Sequence, residues 1–390
     1  MGSLLEAPGP HRQAAIYVAG TAPAVPVDAD RLRAAAQAML SPEAFAYADG
    51  AAGRGTTRRA NRHALDRWQI RPRVGRDITG GDMRATLFGR TLPVPMLLAP
   101  LGALELAHPH ADLAVARAAA GAGVPMIVSS QASFAMERIA GEMADAPRWF
   151  QLYPSRSAAL VESLVTRAEA CGCEAIVVTL DTPTLGWRPD DLDLGHLPFF
   201  FGKGIANYLS DPVFRALLDR PPEEDLPAAV RMFLGVFANP GFTWAKLAGV
   251  RALTRLPLLV KGVTHPDDAR RAIDHGVDGI IVSNHGGRQI DGAVPAVTAL
   301  DEIAPVVAGQ VPVLFDSGIR GGTDIFRALA LGANGVLIGR PLFHALAVAG
   351  EAGVAALIAN LIAEFDLTMR LAGCTAIAEI DRNMIRRGEP

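Results

Sequence analysis

Eight short apolar runs between residues 94 and 338 constrain this chain more than any other feature. They are Val94–Ala99, Pro125–Ser129, Arg148–Leu152, Ala175–Leu180, Pro257–Val260, Gly279–Ser283, Val311–Phe315 and Gly335–Ile338. Most are continuous rather than alternating, the pattern of strands in a parallel sheet covered on both faces. Helical patterns lie between them, with Ala, Leu and Val at i, i+3, i+4 spacing: His110–Ala122, Ser157–Ala170, Pro266–His275 and Thr323–Leu331. Ser133, Ser157 and Thr323 are expected as helix caps. Strand and helix alternating eight times predict an α/β fold, a (β/α)8 TIM barrel forming a single domain over residues 1–390.

The spacing contains one anomaly. About eighty residues separate Leu180 from Lys261, whereas the other intervals hold about twenty to thirty. An insertion at about 185–243 after the fourth strand is therefore expected. It carries the apolar stretch Leu197–Phe201, the acidic Pro221–Asp225 and the apolar run Ala228–Phe237. At the C-terminal face of a barrel, such an insertion reads as a lid or an oligomer contact. A membrane-docking patch is disfavoured because Lys and Arg are sparse within it. Residues 31–92 form an N-terminal extension, led by a helix pattern at Asp30–Leu40. Leu342–Leu371 reads as one long helix after the last strand.

Composition excludes several function classes. Half the residues are hydrophobic and a fifth are charged, enough for a large core and incompatible with global disorder. A net charge of −3 without a long basic run argues against nucleic-acid binding. Three cysteines cannot build a disulfide framework, and Cys171-Gly-Cys173 lacks the second Cys/His pair of a zinc site, so no metal is expected. Residues 1–30 lack a charged start followed by an apolar stretch, Glu6 stands where a myristoylation signal wants Ser or Thr, and no 18-residue apolar window is expected, so the chain reads as cytoplasmic and not membrane-bound.

Chemistry in such a barrel gathers at the C-terminal ends of the strands. Here the ends read Ala99-Pro100-Leu101-Gly102, Ser129-Ser130-Gln131, Gln151-Leu152-Tyr153, Thr179-Leu180-Asp181, Lys261-Gly262, Ser283–Arg288, Asp316–Arg320 and Gly339-Arg340-Pro341. Gly318, Arg320, Gly339 and Arg340 form a phosphate pattern: glycines admit an anion to the backbone and arginines supply forked donors. Lys261 is one of three lysines, with Lys203 and Lys246, among 37 basic residues. A compact ammonium at a strand end serves as a Schiff-base amine or stabilises a developing anion. His285 is the natural general base near neutral pH. Arg288 suits a substrate carboxylate, and Asp181 suits the imidazolium that proton removal creates. The plain alternative for His285 is a loop histidine that only caps a turn; the other histidines, His344 among them, read as surface or loop residues.

These residues resemble the FMN-dependent α-hydroxy-acid oxidising flavoproteins over roughly residues 40–385. Ser283-Asn-His-Gly-Gly-Arg-Gln289 carries the resemblance, with Lys261-Gly-Val before it and Asp316-Ser-Gly-Ile-Arg320 after it. The insertion and Gly186-Trp-Arg-Pro-Asp190 look most like the lactate 2-monooxygenase branch. The resemblance implies FMN as cofactor, a small L-2-hydroxy acid and O2 as substrates, and a homo-oligomer, tetramer or larger. It implies that Tyr47, Tyr153, Arg188, Arg288 and His285 bind substrate, with His285, Asp181, Lys261 and Tyr153 in catalysis. Pro100, Leu101, Gly102, Ser129, Gln151, Thr179, Lys261 and Ser283 would surround the flavin ring and ribityl chain. Asp316, Ser317, Gly318, Arg320, Gly339 and Arg340 would hold the ribityl and phosphate. Three departures stand out. Ser317 replaces a usual glycine, with no expected consequence. Gln131 replaces an aromatic residue over the substrate, and Gly102 replaces alanine, which is expected to open space beside the flavin.

On this reading His285 removes the hydroxyl proton as hydride leaves the α-carbon for flavin N5; a carbanion route through α-proton removal stays open. Early release of the keto acid gives an oxidase, its retention a monooxygenase, and a quinone- or cytochrome-linked dehydrogenase is the third variant. The competing classes are a phosphate-binding isomerase or lyase with Lys261 as Schiff base, and a non-catalytic scaffold.

Overall fold

Alternate residues in each strand separate the inside of the barrel from its outside. The computed structural model describes residues 7–388, so the myristoylation reading at Met1, Gly2 and Glu6 lies outside the described residues. Eight parallel strands close in chain order: β1 Met96–Leu98, β2 Met126–Ser129, β3 Arg148–Leu152, β4 Ile176–Thr179, β5 Leu258–Val263, β6 Gly279–Val282, β7 Val313–Phe315 and β8 Gly335–Ile338. β8 closes on β1 with Leu337 beside Leu97. Leu97, Ile127, Trp149, Val177, Leu259, Ile281, Leu314 and Leu337 turn inward as one core. Their neighbours, such as Leu98, Val128, Phe150 and Val178, pack outward against the helices. Each buried side chain of this size contributes about 1.5–3 kcal/mol, so both cores are needed to hold the barrel.

A hairpin from the N-terminal extension, Ala85–Leu87 with Arg90–Leu92, plugs the N-terminal end of the barrel. Its Leu87, Phe88 and Leu92 join the inner core, and Phe88 meets Trp149 edge-on at 5.6 Å. This closes the end opposite the chemistry and leaves the C-terminal end open. The strand Trp68–Ile70 pairs antiparallel with Ile385–Arg387 and ties the two ends of the chain together.

The expected helices form as Ala29–Met39, Ala111–Ala122, Ala158–Ala170, Pro266–Asp274 and Gly322–Ala330. Ser157 caps its helix by accepting from Leu160 N. Two expected caps are corrected. Ser133 lies before a helix that starts at Met136, and its hydroxyl instead accepts from Glu105 N. Thr323 sits inside its helix, where Asp324 accepts from Arg320 N and Gly321 N. Shell helices Met136–Met143, Trp244–Leu253 and Ala296–Val307 lie outside the four patterns named above. The first is only eight residues long and the last contains Pro305, both of which weaken a periodic signal.

The expectation of no long apolar stretch is also corrected. Helix Arg340–Ala372 is long and apolar enough to cross a membrane by length and composition. Half of its most apolar window is buried, and it packs on helices Pro8–Tyr17, Ala29–Met39, Ala111–Ala122 and Gly322–Ala330. A break at Ala349–Gly350 divides it. Its hydropathy reflects contact with protein on several sides.

The insertion after β4 is a set of short helices, Pro189–Asp193, Pro198–Phe201, Ala206–Leu209 and Pro212–Arg215, followed by Leu226–Phe237. Phe199, Tyr208, Phe233 and Phe237 form an aromatic cluster, with Tyr208 4.8 Å from Phe233 and Phe233 5.1 Å from Phe237. Among the described residues no group of three or more His, Cys, Asp or Glu side chains is placed to hold a metal ion.

Candidate active site

The strand ends converge on a single pocket. Of the residues given a catalytic, substrate-binding or cofactor-binding role in the sequence, all line it except Gln151, Asp181 and Ser283, which hydrogen-bond to the lining residues Ser129, His285 and Lys261. Ser129, Thr179 and Lys261 reach the pocket from the ends of their strands, and the rest, apart from Tyr47, from the segments that follow.

His285 follows β6 with φ of 56°, a left-handed conformation that is unfavourable for a residue with a Cβ. Its Nδ1 lies 2.9 Å from Asp181 Oδ1, beyond β4, which leaves Nε2 for a substrate. Burial lowers the His285 pKa, and Asp181 only partly restores it, so the imidazole is neutral near pH 7. Burial alone would raise Asp181, but His285 and Lys261 outweigh it and hold the carboxyl below its usual range. Gly262, with φ of 104°, makes this approach possible, because a Cβ there would sit 2.5 Å from Asp181 Cβ. The same glycine lies in an irregularity of β5 that shifts register between Lys261 and Val263.

Lys261 is 5% exposed, 3.0 Å from Asp316 Oδ2, and donates to Ser283 Oγ at 2.8 Å. Burial opposes its charge, but Asp316 and Asp181 raise its pKa, so it is an ammonium. That removes the free amine a Schiff base requires and leaves an electrostatic role.

Arg188, from the insertion, and Arg288, from the β6 loop, stand side by side. Arg188 donates to Arg288 O at 3.1 Å and Gln289 Oε1 at 2.9 Å. Burial and then Arg288 push Arg188 down to about 10, so it stays charged at neutral pH. Asp191, at 3.9 Å, is too distant for a hydrogen bond. Two adjacent cations with one loose counter-charge favour a carboxylate between them. Tyr47 lies under Arg288, whose Cζ is 5.2 Å from the ring centre, and Tyr153 meets Phe237 edge-on at 5.3 Å. Burial raises both phenols, so each remains a hydrogen-bond donor.

At the far end, Arg320 and Arg340 follow β7 and β8. Burial and Arg62 push Arg320 down to about 10; burial, Arg288 and Arg320 lower Arg340 strongly. Such crowding of cations is relieved by a bound anion. Nothing lies within 4 Å of where a Gly339 Cβ would stand, so the backbone is open on that side.

Several contributors escaped the sequence reading. Asp49 is 4% exposed and pairs with Arg33 at 2.7 Å and Arg58 at 2.8 Å, with His344 Nε2 at 3.5 Å. Burial opposes its ionisation, yet His344, Arg33 and Arg58 hold it well below the carboxylate range. His344 is therefore a buried residue beside the arginine cluster, not a surface one. Gly50 O accepts from both Arg340 and Arg288, which fixes the end of helix Pro42–Asp49 carrying Tyr47. Asn61 and Asn284 exchange two amide hydrogen bonds at 2.7 and 2.8 Å beside His285. Gln289 bridges Arg188 to Asp181 O. Gly102 does not simply open space: a Cβ there would meet Gln131 Cβ at 3.0 Å and Tyr47 Oη at 3.3 Å. The Ser317 hydroxyl is occupied by the β6 loop and Asp316.

Comparison with known proteins identifies what this geometry resembles. Residues 36–387 match the family model described as FMN-dependent dehydrogenase. An L-lactate oxidase from Lysinibacillus sphaericus (strain C3-41) is 41% identical over 333 residues, covering 85% of this chain and 86% of its own. A 4-hydroxymandelate oxidase from Amycolatopsis orientalis is 42% identical over 357 residues, covering 90% and 96%. A crystal structure of mandelate oxidase superposes with a TM-score of 0.83 at 41% identity, over 94% of this chain and 100% of that one.

The pocket fits FMN on its own features. Gln151 Nε2, Thr179 Oγ1 and Arg340 Nε are buried without a hydrogen-bond partner in the protein, around the pocket and at its phosphate end. Buried polar groups of this kind are costly unless a ligand satisfies them. Arg320, Arg340 and the open backbone at Gly339 suit the phosphate, and Lys261 suits the electron-accepting edge of the ring.

Proposed function

The chain belongs to the FMN-dependent dehydrogenase family and performs FMN-dependent oxidation of a 2-hydroxy acid; on that premise we propose a small L-2-hydroxy acid of lactate size as substrate, O2 as acceptor, and net monooxygenation of lactate to acetate, CO2 and water. The observation that carries the reading is one pocket lined by His285, Arg188, Arg288 and Lys261, with Asp181 behind His285 at its Nδ1.

Arg188 and Arg288 clamp the carboxylate and orient the α-carbon, which lowers the entropic cost of reaction. Tyr47 and Tyr153 donate to the carboxylate and to the oxygen at the α-carbon. Neutral His285 takes the hydroxyl proton at Nε2, and Asp181 offsets the imidazolium charge through Nδ1. Lys261 faces the negative charge that arrives on its side of the pocket. FMN, held by Arg320 and Arg340 at its phosphate and by Lys261 at its ring, would supply the two-electron acceptor for the α-carbon hydride and the route of those electrons to O2 as hydrogen peroxide. Phe199 and Phe237 of the insertion close the pocket over Tyr47 and Tyr153 and favour a small substrate and slow product exit. Peroxide retained with pyruvate adds to the keto carbonyl; the C–C bond breaks, and CO2, acetate and water leave.

The oxidase names of the relatives favour a second reading, in which pyruvate and hydrogen peroxide escape separately. Product analysis of aerobic turnover with L-lactate decides between them. Acetate and CO2 in equal amounts support monooxygenation. Stoichiometric pyruvate and peroxide select the oxidase, and no consumption of any small L-2-hydroxy acid overturns both.

A further inference from the structure

We propose that Ser317 is a positioning residue for His285, joining the Lys261–Asp316 ion pair to the loop that holds the base. This rests on the reading of His285 as base. The Ser317 hydroxyl donates its one proton to Asp316 Oδ1 at 2.6 Å. Its oxygen accepts from Asn284 N at 3.2 Å and from Gly286 N at 2.9 Å. Those two amides flank His285, so one oxygen uses both its lone pairs to grip the loop on either side of the base. The other oxygen of Asp316 pairs with Lys261. Lys261 in turn donates to Ser283 Oγ, which accepts from His285 N at 3.0 Å. Two routes therefore run from the ammonium to the His285 backbone, and one of them passes through Ser317.

Backbone conformation gives independent support. His285, Gly286 and Gly287 have φ of 56°, 64° and 75°, a left-handed run that places a non-glycine residue at its head. Ser317 itself has φ of 76°, where glycine is the least strained choice. A serine at this position accepts backbone strain and returns three hydrogen bonds around the base. Unpaired amides at 284, which is buried, and 286, which is half-buried, would otherwise leave the loop free to relax, and an error near 1 Å in a reacting group is expensive in rate.

S317G and S317A in the FMN-loaded enzyme separate the hydroxyl from the backbone preference. The limiting rate of anaerobic flavin reduction by the hydroxy acid is expected to fall about 10- to 100-fold in both variants. The half-saturating concentration should stay within about threefold, because the arginine clamp is intact. The downfield proton resonance of the His285 Nδ1–H···Asp181 bond should broaden or vanish in both. Glycine relieves strain, so S317G is expected to fold even if S317A does not. A wild-type rate in S317G with the resonance intact overturns the proposal, as does a slowed rate with an unmoved resonance. H285N is the control: if it reduces at the wild-type rate, the base assignment itself fails, a result distinct from failure of the Ser317 link alone.

Discussion

Replacing Asp181 with asparagine preserves its shape and removes the charge that faces His285. The two side chains are 2.9 Å apart and both are largely shielded from water. As His285 takes a proton, an ion pair forms there; at an effective dielectric of 20 such a pair is worth about 4 kcal/mol at about 4 Å separation. At about 1.36 kcal/mol per power of ten, D181N should slow reduction by about 10³-fold. The asparagine amide also presents either an N–H or an oxygen to Nδ1, which loosens control of the tautomer. The assay is anaerobic stopped-flow reduction of the flavin by L-lactate, with the affinity for a non-reactive 2-keto acid measured alongside. The account expects the rate to collapse while the affinity changes little. A D181N rate within about tenfold of wild type would refute the assignment of Asp181 as the group that stabilises the imidazolium.

Other perturbations probe separate parts of the molecule. F237A removes the ring over Tyr153 and should raise the ratio of free pyruvate and peroxide to acetate; an unchanged ratio would count against the insertion as the retaining element. The pH profile of kcat/KM should fall on the acid side with a midpoint below 6.5, because burial favours neutral His285; a midpoint above 7 would contradict the base assignment. Asp112 is fully buried and burial pushes it up to about 7. Because folding then takes up a proton between the unfolded pKa of about 4 and about 7, this carboxyl's contribution is fully present below pH 4 and is lost as pH rises through 7. D112N keeps an acceptor for Ser133 N and lacks that loss, so its Tm advantage over wild type should grow from pH 4 to pH 8, worth up to about 4 kcal/mol. A Tm difference that is flat with pH would show that Asp112 is not protonated on folding.

The barrel was legible because its strands are buried on both faces and many of its functional side chains sit at or within a few residues of a strand end. His285, Lys261 and Arg320 could be found that way. Gly102 and Ser317 were visible only as departures from a pattern, and their meaning lies in contacts that sequence spacing does not encode. Asp49 and His344 are nearly 300 residues apart, and each alone reads as an ordinary surface residue. Asn61 and Asn284 pair across 223 residues, and although Asn284 lies in the motif around His285, nothing local marks Asn61 as its partner. The plug formed by Leu87, Phe88 and Leu92 was hidden because three-residue strands carry no measurable period. The apolar helix Arg340–Ala372 shows the reverse failure, since its hydropathy is plain but its protein contacts are not.

The visible spectrum of the FMN-loaded protein during anaerobic addition of L-lactate shows whether the flavin in this pocket oxidises a small hydroxy acid. A yellow protein is expected, whose flavin absorbance bleaches on mixing and returns when air is readmitted. A protein that cannot bind FMN, or a yellow protein that no small L-2-hydroxy acid bleaches, would contradict that expectation.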